Sequence, residues 1–540
     1  MVGTVTRTYD ADFRLATEAV TGGQTVTFQY DSDSLLTAAG ALSISRSAAT
    51  GFVTGSTLGG ISDSRTYDSF GDEQTYSASF GTTPLYSVDY GTRDALGRTV
   101  SKTEMVAGEQ HAYGYTYDAR GRLSDVTKDG APLSHYDYNA NGNRLTGPGL
   151  TASPVYDAQD RLLSYGNCTY SYAPEGSLQT KTCPNGVVTY GYDSFGNLRN
   201  VTLTGGTAIS YVIDGVNRRI GKKINGVLME GFLYGSQLHP AVWLNGDGSV
   251  RARFVYALDV NVPEYMVQGT ATYRFITDQV GSVRLVVDAS TGAVAERIDY
   301  DEFGNVLSDS APGFQPFGFA GGLLDRDVGL TRCGARDYDP STGRWTAKDP
   351  LRLRGGPNLY VYASADPVNN TDPLGLFLGS AHHKILEGAF PNLSVRDLAI
   401  LKFGSDMTDR IGGVSTDPFY ERMHAMTAPG QSVDDARIAY QKWVIDNLNT
   451  AIERERKGCH EAALRALGMG MHAIVDSYSS AHEGFQVWAG PWITGPVHGP
   501  GDYFSGFSSQ RIGSATLEIQ AYYNTFLMRS RAPDFRYRED

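Results

Sequence analysis

Residues 117–126 read YDARGRLSDV, residues 156–165 read YDAQDRLLSY, and residues 192–201 read YDSFGNLRNV. In each stretch an alternating strand reaches Tyr-Asp, turns through Gly or Asp, and resumes at Arg-Leu or Asn-Leu, the pattern of two strands joined by a tight turn. Tyr-Asp recurs at 9–10, 30–31, 67–68, 117–118, 136–137, 156–157, 192–193, 300–301 and 338–339. Tyr packs well on neighbouring rungs, and Asp stabilises the turn by accepting backbone hydrogen bonds. Units of roughly 20 residues that cannot bury a face alone must stack on one another, so a repeating all-β array is expected. With 63 Gly and 33 Tyr, the composition suits many short strands and tight turns.

At 540 residues the chain exceeds one ordinary domain, and two or three cores are expected. A net charge of -13 argues against a protein that coats nucleic acid generally, since that affinity comes from Lys and Arg. Four cysteines (Cys168, Cys183, Cys333, Cys459) are too few and scattered for a disulfide framework. Cys168 and Cys183 flank a short segment and can pair across a hairpin, but two buried free thiols are the favoured reading. No apolar run of roughly 18 residues is present, so no membrane span is expected. The opening MVGTVTRTYD has no basic region followed by an apolar one, so no signal peptide is expected, and export needs another route or an upstream part.

The composition changes at Phe377. Seven of the ten histidines follow it, Tyr-Asp disappears, and 16 Lys+Arg stand against 19 Asp+Glu, so most of the negative charge belongs to the repeats. Residues 432–458, 459–485 and 509–531 carry apolar residues at three- and four-residue intervals, which predicts a mainly α-helical C-terminal domain. Ser432 is the expected N-cap of the first helix, with Asp435 three residues on.

RDYDPSTGRWTAKDP (336–350) followed by NLYVYASADPVNNTDPLGL (358–376) matches a known pattern residue by residue. With the Tyr-Asp units, it makes the chain from about Tyr9 to Leu376 resemble the Rhs/YD-repeat proteins. That resemblance implies a multidomain protein: a spiralling, hollow β-shell (1–315), a repeat-associated core that plugs it (316–376), and an enclosed toxin domain (377–540). It also implies self-cleavage between Leu376 and Phe377 by an aspartyl-protease reaction that uses Arg336, Asp337, Asp349 and the PxxxxDPxGL motif that ends at Leu376. Such hydrolysis needs two neighbouring acids, one ionised to activate water and one protonated to polarise the amide. Arg336 is expected to orient a carboxylate. Asp339 and Asp372, each before Pro, are read as turn residues. A repeat-built adhesion or binding protein without a toxin is the alternative from another functional class.

The sharpest pattern after the junction is MHAIVDSYSSAHEGF (471–485), which places His472, Asp476 and His482 as HxxxDxxxxxH. His472 and Asp476 are one helical turn apart on one face, and VHGPGD adds His498 and Asp502 at the same spacing. Mixed imidazole and carboxylate ligands point to Zn²⁺ or a similar borderline metal. Together with His382, Asp409 and His424, the ordered set resembles the zinc-dependent phospholipase C and single-strand nuclease superfamily. The resemblance implies three zinc ions, Asp409 (or Asp406) as ligand and general base, and a ligand supplied by the mature N-terminal residue. Cleavage after Leu376 would make Phe377 that residue. A phospholipase C-like activity on phospholipid is the favoured reading, with a single-strand nuclease as the alternative; the toxin reading also implies a secretion machine, delivery into a target cell and a cognate immunity protein.

Overall fold

The computed structural model describes residues 3–375 apart from 11–13, 21–22, 24, 33–34, 69–71, 95–96, 260 and 351–357; beyond them it describes scattered positions between Leu386 and Thr408, then 432–477 and 509–531. The chain divides into two compact units, the first built from Met1–Asp68, Glu73–Arg352 and Gly356–Phe377, the second running on from Leu378 to Asp540.

The Tyr-Asp unit explains the first of these. Asp118 accepts hydrogen bonds from the N–H groups of Arg120 at 2.8 Å and Arg122 at 3.0 Å, and Arg122 Nε donates to it at 2.6 Å. The residue three after the Asp must enter the left-handed region, and Gly121 does so at φ 83°. In the unit at Asp157 the place is taken by Asp160 at φ 60°, and in the unit at Asp214 by Asn217 at φ 64°, a backbone region that Asp and Asn tolerate. The tyrosine works backwards: Tyr117 donates to Thr99 O at 2.6 Å, Tyr67 to Val53 O at 2.7 Å and Tyr156 to Arg144 O at 2.7 Å. Each unit therefore fastens its turn forwards and its strand backwards with local contacts alone.

Repetition of this step builds antiparallel sheets whose strands pair in chain order. Among the described residues, 13 strands from Val5–Tyr9 to Ala131–His135 form the first sheet and 16 from Val155–Tyr156 to Val306–Asp309 the second. The two sheets share a core in which Leu42, Leu58 and Tyr86 of the first meet Ile276, Leu285 and Val287 of the second. Buried ion pairs cross the same boundary: Arg274 binds Asp63 at 2.9 Å, and Arg284 binds Glu104 at 2.8 Å. Such pairs add little net stability, yet losing one partner costs about 3–5 kcal/mol, so they fix how the sheets meet.

The favoured reading of Cys168 and Cys183 as free thiols is corrected, because the two form a disulfide. Cys168 opens strand Cys168–Tyr172 and Cys183 closes strand Leu178–Cys183; the register Thr169↔Thr182 sets them opposite, with Cα atoms 4.3 Å apart. Closing a loop of this length stabilises the chain by about 3 kcal/mol. Cys333 is buried and Cys459 exposed, both as thiols.

Two buried carboxyls give the first unit a pH dependence. Burial, the largest cause, raises Glu296 to about 7 and Asp366 to about 6. A folded-state pKa above the unfolded value adds stability that is complete in acid and is lost as pH rises through 6 to 7. Glu104 is held down at about 2 by Lys102, Arg284 and Tyr86 against its own desolvation, so its contribution is kept above pH 4.5 and lost only in strong acid. The melting temperature is therefore expected to fall by a few degrees between pH 5.5 and 8. Glu296→Gln should flatten that slope in a thermal scan, and an unchanged slope would contradict this account.

Beyond the junction the described residues form a few helices: α1 (Val433–Arg456), α2 (His460–Ser477) and α3 (Ser509–Arg531). Ser432 caps α1 as expected, its Oγ accepting from Asp435 N–H at 3.1 Å. Leu448 of α1, Leu467 and Ile474 of α2, and Ile519 and Phe526 of α3 close a separate apolar core. Among the described residues no helix is long and apolar enough to cross a membrane.

Candidate self-processing site

Strand Arg336–Asp339 is fully buried and lies between Leu330–Cys333 and Arg344–Trp345 in a third, four-stranded sheet. Three charged residues in a buried four-residue strand require partners, since an unpaired buried charge is very costly. Strand alternation sends Arg336 and Asp337 to opposite faces.

On one face Arg336 stacks over Trp345 at 4.2 Å. One nitrogen of its guanidinium, Nη2, meets both Asp349 Oδ2 at 2.8 Å and Asp372 Oδ2 at 3.1 Å, while Nε donates to the carbonyl of Gly375 at 2.5 Å. On the other face Asp337 is bracketed by two guanidiniums: Arg219 Nη2 donates to Oδ1 at 2.7 Å and Arg332 Nη1 to Oδ2 at 2.9 Å. Arg332 is its cross-strand neighbour, and Arg219 belongs to strand Arg219–Ile224 of the second sheet, so Asp337 pins the third sheet to the second.

The sequence pairs Asp337 with Asp349; in the structure the two bind different cations on opposite faces of the strand, and the acid that shares a cation with Asp349 is Asp372. Asp339 serves the turn expected of it, accepting from Ser341 N–H at 2.9 Å while its carbonyl accepts from Gly343 N–H at 2.9 Å. Burial, and then the nearby Asp372 and Asp337, push the Cys333 thiol up.

The junction itself is fastened at two places. Asn369 Oδ1 accepts from Thr99 N–H at 2.9 Å, and its Nδ2 donates to the hydroxyl of Tyr117 at 2.8 Å, so the junction docks on a Tyr-Asp unit of the first sheet. Further on, Ala335 N–H donates to Leu374 O at 2.8 Å, and Gly375 N–H donates to Asp372 O at 3.2 Å. Only glycines allow this approach: a Cβ on Gly334 (φ 46°) would sit 2.2 Å from Leu374 O, and one on Gly375 (φ 65°) 2.4 Å from Cys333 O. The bond between Leu376 and Phe377 lies outside the described residues.

Most of the expected metal ligands also lie outside them: Phe377, His382, Asp406, Asp409, His424, His482, His498 and Asp502. His472 is described; it is buried on α2, and its Nδ1 is 3.1 Å from Ser405 Oγ. Asp476 falls one turn further along α2. Among the described residues no group of three or more His, Cys, Asp or Glu is placed to hold an ion.

A family model described as Teneurin YD-shell matches residues 3–368. The chain is 29% identical over 315 residues to Teneurin-4 of Mus musculus, covering 55% of this chain and 11% of that one. It is 28% identical over 317 residues to Double-stranded DNA deaminase toxin A of Burkholderia cenocepacia (strain H111), covering 52% of this chain and 22% of that one. The chain thus spans about a tenth to a fifth of the length of these curated relatives. Among solved structures, the TcdB2-TccC3-Cdc42 crystal structure and the Tc holotoxin pore of Photorhabdus luminescens each match with a TM-score of 0.50 at 16% identity, over 69% of this chain and 21% of the other. At that identity the likeness is one of fold.

Proposed function

This chain belongs to the Teneurin YD-shell family, and from that premise we propose that its repeats carry a C-terminal toxin and free it by cutting their own chain after Leu376. The observation that supports this reading most is the Arg336 guanidinium, which gathers two carboxylates and the carbonyl of the residue just before Leu376. In the reaction, a carboxylate at this site takes a proton from water, and the water oxygen attacks the carbonyl carbon of Leu376. A neighbouring protonated carboxyl gives its proton to the carbonyl oxygen; as the adduct collapses, the first carboxyl passes its proton to the nitrogen and the second takes one back from a hydroxyl of the adduct, so the C–N bond breaks to leave a carboxyl on Leu376 and an amine on Phe377. Asp337 serves by seating the strand that carries Arg336. Enclosure of the toxin by the repeats, export by a secretion machine, entry into a target cell and neutralisation by an immunity protein complete the reading.

For the toxin we propose a zinc-dependent phosphoesterase, with a phospholipid or single-stranded nucleic acid as substrate. His382, Asp409, His424, His472, Asp476, His482, His498, Asp502 and the freed amine of Phe377 would hold the metal. Bound zinc would supply an activated water and polarise the phosphoryl group. Deaminase chemistry is not carried over from the Burkholderia relative: zinc deaminases bind their metal with one His and two Cys, or with three Cys, and residues 377–540 contain the single cysteine Cys459. One preparation tests both halves. Purified protein should yield a fragment whose N-terminal sequence starts FLGSAHH, carrying at least about one zinc per fragment by elemental analysis. A fragment starting elsewhere would refute the cut, and a correct fragment without zinc would refute the toxin assignment.

A further inference from the structure

We propose that the cavity lined by Arg219 of the second sheet and by Arg332 and Cys333 of the third is a binding site for a small monovalent anion of chloride size, held by the two guanidiniums. Such a site is independent of self-cleavage.

A guanidinium cannot give up its charge, and when buried it has a full fork of N–H donors to satisfy. Arg219 and Arg332 are only 5% and 4% exposed. Arg332 places Nη1 on Asp337 Oδ2 at 2.9 Å, and Nη2 on Asn197 Oδ1 at 2.9 Å and Asn217 O at 3.3 Å. Arg219 places Nη2 on Asp337 Oδ1 at 2.7 Å and lies over the ring of Tyr211, 3.7 Å from its centroid. The Nε of each is buried and finds no acceptor among the described residues. Buried donors are rarely left unpaired, because they forfeit water without gaining a partner, so the two Nε groups call for an acceptor.

The charge points the same way. Among the described residues, Asp337 is the one carboxylate in ion-pair contact with either guanidinium, so two buried cations share one anion. Asp325, the next carboxylate near Arg219, is held by Lys222 Nζ at 2.7 Å. Arg218 also lines the cavity, but Asp214 balances it at 2.8 Å. The other polar groups of the wall have partners of their own: Tyr234 donates to Arg219 O at 2.9 Å, Gln237 to Val216 O at 3.2 Å and Asn261 to Ala320 O at 2.8 Å. Burial raises the Cys333 thiol and the Tyr234 hydroxyl, so both are neutral near pH 7 and neither supplies the negative charge.

The cavity has a volume of about 40 Å³, roughly three times what one water needs, which leaves room for a single halide ion. A water would satisfy a donor but leave the charge unbalanced; a monovalent anion does both. Leu238, Phe317 and Leu323 complete the wall, so an ion entering must shed most of its own water, which favours chloride or bromide over the more strongly hydrated fluoride. Arg219 and Arg332 belong to different sheets, so the bound anion would tighten the joint between them. Pro373 lines the same cavity, which brings the anion beside the junction. The first unit would then be held more firmly in chloride-rich surroundings than in chloride-poor ones.

The test is the melting transition of the first unit in calorimetric scans of the full chain, with sodium chloride exchanged for sodium gluconate at constant ionic strength so that screening is fixed. Chloride should raise the transition by a few degrees along a curve that saturates, bromide should follow chloride, and fluoride should have no such effect. A shift that grows in proportion to chloride without saturating is a general salt effect and would overturn the site. Arg332→Lys keeps a cation for Asp337 but removes the Nε donor, so it should lose the saturating response; a response as large as the parent's would place the anion elsewhere and also overturn the site. If that variant does not fold, crystals of the parent soaked in bromide decide: an anomalous peak beside Arg219 and Arg332 supports the site, and water alone in the cavity refutes it.

Discussion

Asp349→Asn is expected to leave one uncut chain of 58.5 kDa on a denaturing gel, where the parent gives two fragments. A carboxamide neither accepts the proton of the attacking water nor holds one for the leaving nitrogen, and losing such a group costs a reaction roughly 100- to 10,000-fold. Against a peptide bond that water alone breaks extremely slowly, that loss abolishes processing on the timescale of expression. The fold should survive, because Arg336 keeps the Asp372 carboxylate, the Gly375 carbonyl and the face of Trp345 as partners. The melting curve of the variant should therefore lie close to that of the parent. A fragment beginning at Phe377 from this variant would refute the site.

Asp337→Asn is expected to fail differently. Its carboxylate is the shared partner of Arg219 and Arg332, all three nearly inaccessible to solvent. Replacing it leaves two buried guanidiniums facing a neutral amide, at a cost of about 3–5 kcal/mol. Urea titration of the variant should show the first unit unfolding at clearly lower denaturant, with cleavage lost because the strand carrying Arg336 is no longer seated. Two substitutions twelve positions apart in one motif would then both block processing, one with the fold intact and one without. Equal stability of Asp337→Asn and the parent, with cleavage still lost, would return Asp337 to the chemistry.

The repeating half of this fold was legible because its forces are local. Asp118 meets partners two and four residues away, and Tyr117 bonds the neighbouring strand, so the pattern shows in any short window. The same holds for the Ser432 cap. What failed to show depends on register or on distant chain. The Cys168–Cys183 bond follows from one hairpin register, which spacing alone leaves open between pairing and separation. Arg219 stands 118 residues from Asp337 inside an ordinary basic strand, and nothing around it marks it as a partner. Asp372 was visible as the Asp of a DP turn, but a turn residue and a shared carboxylate look identical until Arg336 is seen between Asp349 and Asp372.

The two fastenings of the junction have a kinetic consequence. Hydrolysis of a peptide bond is reversible in principle, and two ends held side by side meet at a high effective concentration. Here the fastenings through Asn369 and Gly375 both lie upstream of the bond. If the bond is cut, the new carboxyl end would stay one residue beyond an anchored glycine. Any separation of the new amine from that held end would lower its effective concentration there, and resealing would slow with it.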